Sequence, residues 1–212
     1  VFSRPERLKE WLKENGLTIE SRKSCFVDAG QLVPEFSLDD DSVEFFVHSP
    51  HAKRTDDRGV VDRNGDSIML QMRFVEEGHH TDLLITGDMP HECIGEIVDI
   101  TRKKKNDNRL HWDVYHLPHH CSYKSIGPEK GENKTVPTDQ VAWLCETAGE
   151  ENGFIISASK PIPYKGSEED KDVQPPHRQA ANYYKEDVLV DTRQFLVTMA
   201  EPSSTNPKPL VL

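Results

Sequence analysis

Leu83-Leu84-Ile85-Thr86-Gly87-Asp88 is an apolar run that ends in a glycine and then a carboxylate. Consecutive bulky aliphatic residues bounded by a turn signal read as a buried strand, and glycine lets the backbone turn sharply at its end. Asp88 is then held with little positional freedom, where a hard cation can be bound. The plainer alternative is that Asp88 caps the helix that follows. That helix begins near Pro90 and carries Ile94, Ile97 and Val98 on one face. Upstream, residues 67–75 alternate, with Ile68, Leu70, Met72 and Phe74 set against Met69, Gln71 and Arg73. This period of two predicts a strand, and a turn at 76–80 joins it to a second strand over 81–86.

A second segment repeats the arrangement: Val114-Tyr115-His116-Leu117-Pro118-His119-His120-Cys121-Ser122. The strand predicted over 112–117 ends in polar groups, and two neighbouring imidazoles there can serve as metal ligands and as proton donors. Successive side chains point apart, so one of the pair is expected to face a metal directly. The alternative, a solvated turn, is weakened by the stiffening effect of Pro118. A third segment, Gln174-Pro175-Pro176-His177-Arg178, sets His177 at the start of a helix over 177–185. Taken alone, such a histidine is more often surface decoration than a ligand. His79, His80, His91, His111 and His116 are taken as surface or core residues, while His48 and His51 border a polar loop over 51–65 that is a plausible rim.

Around these segments the pattern predicts a helix over 5–15, with Leu8, Trp11 and Leu12 on one face and Gly16 as its stop. Strands are expected at 23–28, 43–48, 154–157 and 194–199, and a helix over 138–148 with Val141, Leu144 and Cys145 inward. Residues 1–200 read as one packed unit and 201–212 as a disordered or draped tail. A hydrophobic fraction of 35% in 212 residues supports one core of useful size. A net charge of −11 makes a general DNA-binding module a poor reading, so a polyanionic substrate needs bound metal or local basic residues such as those at 102–105, Lys124 and Lys165. No apolar run is long enough for a membrane segment, and the first residues lack the layout of a secretory signal. Cys25, Cys93, Cys121 and Cys145 form no C-x-x-C pair, which predicts four free thiols in a reducing cytoplasm. Cys121, beside two histidines, is expected to be the reactive one.

The order of the segments is more specific than any one of them. Asn64-Gly65-Asp66-Ser67-Ile68-Met69-Leu70, then the T-G-D at 86–88, then Leu117-Pro118-His119-His120-Cys121-Ser122, then Ile155-Ile156-Ser157 and Pro175-Pro176-His177 resembles the C-terminal half of metallo-β-lactamase-fold hydrolases. Within that superfamily it looks most like the hydrolase domain of competence (ComEC-type) DNA-uptake proteins. Their pattern runs N-x-x-S-L-V-L, T-G-D, P-H-H-G-S and a late histidine. The resemblance covers roughly 43–184 and implies an α+β fold, an αββα sandwich with two divalent ions, Zn or Mn, at one edge of its two sheets. It implies Asp88 as the bridging acidic ligand, His119 and His120 beside the metal, His177 as ligand or proton donor, and Asn64 and Ser67 as supports. The reaction implied is hydrolysis of a phosphodiester, as in a nucleic acid or nucleotide, or of another ester, by metal-activated water.

Two departures matter. Cys121 stands where the pattern has glycine, and the H-x-H-x-D-H motif that supplies most metal ligands is absent from these residues. In this fold that motif lies in the N-terminal half. The chain is therefore expected to be the C-terminal portion of the domain, partnered by the missing half and inactive without it. The rival reading is a metal-free scaffold or interaction domain that keeps the fold.

Overall fold

β1 (Val43–Ser49), β2 (Met69–Glu76) and β3 (His79–Ile85) form an antiparallel meander, and β4 (Trp112–His116), β5 (Gly149–Ser157) and β6 (Gln194–Val197) continue it in parallel from β3. The result is one mixed six-stranded sheet whose spatial order follows the sequence. The structure is a computed structural model and describes residues 5–18, 20–50, 64–189, 192–210 and 212. The hairpin turn is tighter than the sequence predicts. Only Glu77 and Gly78 connect β2 to β3, both at positive φ (51° and 82°), the geometry whose twist matches the flanking strands.

Each parallel step passes through helix. These are α3 (His91–Lys103), α4 (Asp139–Ala142) running into a π-helical turn (Trp143–Thr147), and α5 (Arg178–Tyr183) running into a second π-helical turn (Tyr184–Val188). Right-handed crossovers that advance in one direction lay their helices on one face of a sheet. The core has that form: Ile94, Ile97, Val98, Val141, Leu144, Ala180, Tyr183 and Val188 are buried in one cluster with Met69, Leu84, Trp112, Tyr115 and Ile155 of the sheet.

The opposite face is different. Phe45, Met72, Leu83, Val114 and Phe154 lie in register across five strands, and so do Leu70, Ile85, His116, Ile156 and Leu196. All ten are only half-buried, and nearby Phe74 and Ile68 are 40% and 59% exposed. A sheet with apolar side chains on both faces is suited to lie between two layers. Among the described residues one sheet and one helical layer are present, half of what an αββα sandwich requires.

At the N-terminal side, α1 (Pro5–Glu14) forms as the pattern predicts, Gly16 follows it at φ 67°, and a single turn, α2 (Leu38–Asp41), precedes β1. The strand expected over 23–28 does not form. Residues Glu20–Cys25 make a 3₁₀ turn instead, seeded by reciprocal bonds in which the Thr18 amide donates to the Ser21 hydroxyl (2.9 Å) and the Ser21 amide to the Thr18 hydroxyl (3.0 Å). Such local side-chain bonds compete with a strand ladder. The edge of β1 is taken by the next segment, where the Gly30 amide donates to the Val47 carbonyl (2.7 Å) and the Val33 amide to that of Phe45 (2.9 Å). β5 is longer than the expected 154–157. Its polar first half is a strand because Gly149 and Gly153 leave room for the Trp112 indole: a Cβ at Gly149 would sit 2.2 Å from that ring. Among the described residues no helix is long and apolar enough to cross a membrane.

Candidate functional site

β3 ends with Ile85, and the buried Thr86 hydroxyl ties it to β4 by donating to the His116 carbonyl (3.0 Å). Gly87 then turns at φ +54°, where an added Cβ would lie 2.7 Å from Ser67 Cβ. Only glycine lets the chain pass so close to the β2 approach. The Asp88 amide donates to Ser67 Oγ (3.1 Å), and the Ser67 amide donates to the Asn64 carbonyl (3.1 Å). Ser67 therefore steadies Asp88 through its side chain, and Asn64 helps through its backbone. Pro90, not Asp88, occupies the N-cap of α3, so the capping alternative falls away. The Asp88 carboxylate is half-exposed at the C-terminal edge of the sheet.

The P-H-H segment folds as a tight turn in which His119, His120 and Cys121 are all left-handed, with φ of 48°, 55° and 67°. Each such non-glycine residue costs about 1–2 kcal/mol relative to the right-handed helix region. Glycine at 121 would relieve part of that cost, which is the physical sense of the P-H-H-G pattern. The turn is held by the His119 amide donating to the Gly87 carbonyl (2.9 Å) and by the His177 amide donating to the Cys121 carbonyl (3.0 Å). Conformations this costly persist where the surroundings determine them, and they gather at functional sites.

His120 meets Asp88 directly. Its Nδ1 bonds the Ala158 carbonyl at 2.8 Å, and its Nε2 lies 3.9 Å from Asp88 Oδ1. A carbonyl can only accept, so Nδ1 carries a proton, and in the neutral form of the ring Nε2 is a lone pair beside a carboxylate. The same pairing, one ring nitrogen donating to a carbonyl and the other free, orients metal-ligating histidines.

His177 reaches the turn from the other side. It is the N-cap residue of α5 and is 2% exposed, buried rather than on the surface as a lone helix-start histidine would be. The Tyr123 amide donates to its Nδ1 (3.4 Å), the Tyr123 ring packs edge-on at 5.0 Å, and Nε2 is enclosed without a hydrogen-bond partner. Burial pushes the imidazole down to about 4, with the Lys130 and His119 charges acting the same way and the Val173 carbonyl against them. Thus Asp88 and His120 are brought together by side chain, and His119 and His177 join them through the backbone of one turn.

One further imidazole escaped the sequence reading. His116, at the end of β4 between Ile85 and Ile156, is half-buried with an enclosed, unpartnered Nδ1. Burial, then His120, disfavours its protonation, while Asp88 favours it. Its signal was the strand end itself, which already delivered Asp88 one strand away. His48 bonds the Arg109 carbonyl through Nε2 at 2.8 Å and is a structural residue, and His51 lies outside the described residues. Among the described residues, no three His, Cys, Asp or Glu side chains are grouped so as to hold one ion.

Cys121 corrects an expectation. It is buried, and burial pushes its thiol up to about 12 despite the neighbouring histidines, as it does that of Cys145. Cys121 and Cys145 are free thiols, Cys93 is half-buried, and the Cys25 side chain lies outside the described ones. In the native protein at pH 8, Cys121 and Cys145 should react with a thiol reagent only at the rate of unfolding. Rapid labelling of Cys121, located by peptide mapping, would show that the turn is open.

His177 makes a second prediction. An unfolded imidazole titrates near 6.5, whereas the folded one is held at about 4. Folding excludes the proton, so this contribution is complete above pH 6.5 and is lost as pH falls from 6.5 through 4, amounting to on the order of 3 kcal/mol. The urea midpoint of the metal-free wild type should fall between pH 7 and 4.5 more steeply than that of His177→Asn. Parallel pH profiles for the two would contradict the buried neutral ring.

Compared with protein-family models, curated proteins and solved structures, the chain matches none.

Proposed function

We propose that this chain carries part of a metal-dependent hydrolase site of the metallo-β-lactamase type, which cleaves a phosphodiester or another ester. The observation that supports this best is the meeting of His120 Nε2 and Asp88 Oδ1 at 3.9 Å with the His120 proton committed to the Ala158 carbonyl. With the ring neutral, a lone pair faces a carboxylate at that separation, an arrangement that a metal ion between them relieves, as a second ring proton also would. Imidazole and carboxylate are donors that suit Zn or Mn.

The donors fit in kind, but among the described residues they fall short in number. Asp88 and His120 would hold the ion, with His119, His177 and His116 in the neighbouring turn and strand end. The remaining ligands would come from a second layer packed on the open apolar face of the sheet, the counterpart of the N-terminal half that the sequence pattern implies. A divalent ion held there would make hydroxide available near neutral pH and polarise the ester oxygen.

The chain's own residues then have distinct tasks. Asp88, fixed by Ser67, and His120, fixed by Ala158, present two oriented electron-pair donors. His177 stays neutral above pH 6.5 and keeps an unused Nε2 proton, the kind of group that steadies a developing oxyanion by a hydrogen bond. The proposed setting is the cytoplasm, in keeping with the free thiols of Cys121 and Cys145. The test is turnover of bis(p-nitrophenyl) phosphate by the chain joined to its covering half. Hydrolysis that appears with added Mn or Zn and disappears on chelation is expected. A folded complex that turns over no ester under any divalent ion would leave the scaffold reading in its place.

A further inference from the structure

Cys121 closes the turn that carries His119 and His120, in a left-handed conformation (φ 67°) that glycine would adopt without strain. A side chain that persists in such a place is held there by its surroundings. Burial keeps the Cys121 thiol protonated, and its side-chain hydrogen-bond partner is Ser157, the last residue of β5.

Ser157 is a fixed point. Its carbonyl accepts from the amides of Ser159 (2.9 Å) and Thr198 (3.0 Å), so the end of β5 is tied both to its own exit and to the residue after β6. The Ser157 and Ser159 hydroxyls lie 2.7 Å apart, and Ser159 Oγ donates to the Lys160 carbonyl (2.8 Å). A hydroxyl has one proton to give. That of Ser159 is spent on a carbonyl, which can only accept, so Ser157 is the donor between the two serines. An oxygen lone pair is what Ser157 has left for Cys121, and the S–H donates to it. The result is a directed chain from Cys121 through Ser157 and Ser159 to the Lys160 carbonyl, with all three side chains buried. Without a donor at its head, a buried oxygen would be left unsatisfied.

This chain runs past the candidate site. Ala158, between the two serines, offers the carbonyl that orients His120 through Nδ1 (2.8 Å). Adjacent residues of the turn thus land on adjacent residues of the β5 exit, the His120 ring on Ala158 and the Cys121 thiol on Ser157. Two points of attachment fix a direction that one alone leaves free to swing.

We propose that Cys121 is a positioning residue, whose thiol, anchored on Ser157, sets the turn so that His120 keeps its Nδ1 proton on the Ala158 carbonyl and its Nε2 toward Asp88. That this arrangement serves a metal ion rests on the hydrolase reading, but the anchoring does not. The test is nitrogen NMR of the His120 ring in the chain at pH 8 in EDTA, which shows where the ring proton resides. The wild type should hold it on Nδ1. In Cys121→Ala and Cys121→Gly it should return to Nε2, the form a free imidazole favours in water, with the Nδ1–H population falling about fivefold or more, the weight of one hydrogen bond. Cys121→Ser keeps a donor in the same place and should restore the wild-type ring. Ser157→Ala removes the anchor from the other side and should reproduce the alanine result, so the test stands even where a substitution in the turn prevents folding. A thiol that only fills space would change the urea midpoint and leave the ring as it is. An Nδ1–H ring that persists in Cys121→Ala and Ser157→Ala, an Nε2–H ring in the wild type, or failure of Cys121→Ser to restore it would overturn the proposal. An anchored His120 in a protein that turns over no ester would sink only the hydrolase reading. Ester turnover with a His120 ring indifferent to Cys121 would sink only the anchor.

Discussion

Asp88→Ala is expected to abolish metal-dependent hydrolysis, lowering the rate by about a thousandfold or more, the scale of losing one essential electrostatic group. The fold should survive. The side chain is half-exposed, while the structural work at this point is done by Gly87, by the Asp88 amide on Ser67 and by the His119 amide on the Gly87 carbonyl. None of these bonds needs the carboxylate. Urea midpoints of variant and wild type should therefore agree within about 0.5 kcal/mol, as for other surface changes. Asp88→Asn keeps the shape and one oxygen but removes the charge, and it should be nearly as inactive. Full activity in either variant would remove Asp88 from the site; unfolding of both would recast it as a structural residue.

Trp112→Ala should have the largest effect on stability. The indole is fully buried, donates from Nε1 to the Leu144 carbonyl (2.9 Å), stacks on Tyr115 at 5.4 Å and lies under the Arg193 guanidinium at 5.2 Å. Arg193 is itself 9% exposed and donates to the carbonyls of Glu150, Cys145, Val188 and Gly149, so Trp112 is the floor of a buried polar network. Deleting a buried tryptophan costs about 3–5 kcal/mol, and leaving the Leu144 carbonyl unpaired adds about 1 kcal/mol or more. Domains of this kind have about 5–15 kcal/mol in total, so the variant should be largely unfolded or close to it at 37 °C. Trp112→Phe should cost roughly half as much. Circular dichroism across a urea series measures both, and an alanine variant within about 1 kcal/mol of wild type would show that the sheet and helices do not share one core.

Some of this architecture could be read directly from the residues because a local rule and the tertiary demand agreed. The alternation over 67–75 formed β2, Leu83-Leu84-Ile85 formed the end of β3, and the apolar face of 91–103 formed α3. Where the two disagreed, tertiary packing decided. Residues 149–153 are polar and fall outside the strand expected over 154–157, yet they are strand because two glycines admit the Trp112 indole. Residues 23–28 look like a strand, yet Thr18 and Ser21 cap a turn there first.

The site divides in the same way. Asp88 and His120 were legible because each ends a strand in a tight turn. The burial of His177 was not, since nothing in Pro175-Pro176-His177 announces that Tyr123 will cover the ring. His116 was hidden by its own strand, where period-two alternation disguises a polar group as one more half-buried position. The thiol of Cys121 was misjudged because adjacency to histidines in sequence says nothing of desolvation, which governs it.

The most direct test of the account is the metal content and phosphodiesterase rate of two purified proteins: the 212-residue chain, and the same chain with the half-domain that covers the open sheet face. Asp88 and His120 alone are too few to fill a catalytic coordination shell. The chain by itself should therefore take up Zn or Mn weakly and turn over no substrate, while the covered protein should hold metal stoichiometrically and hydrolyse bis(p-nitrophenyl) phosphate. Tight stoichiometric metal with full activity in the chain alone, or no metal in either protein, would contradict the claim.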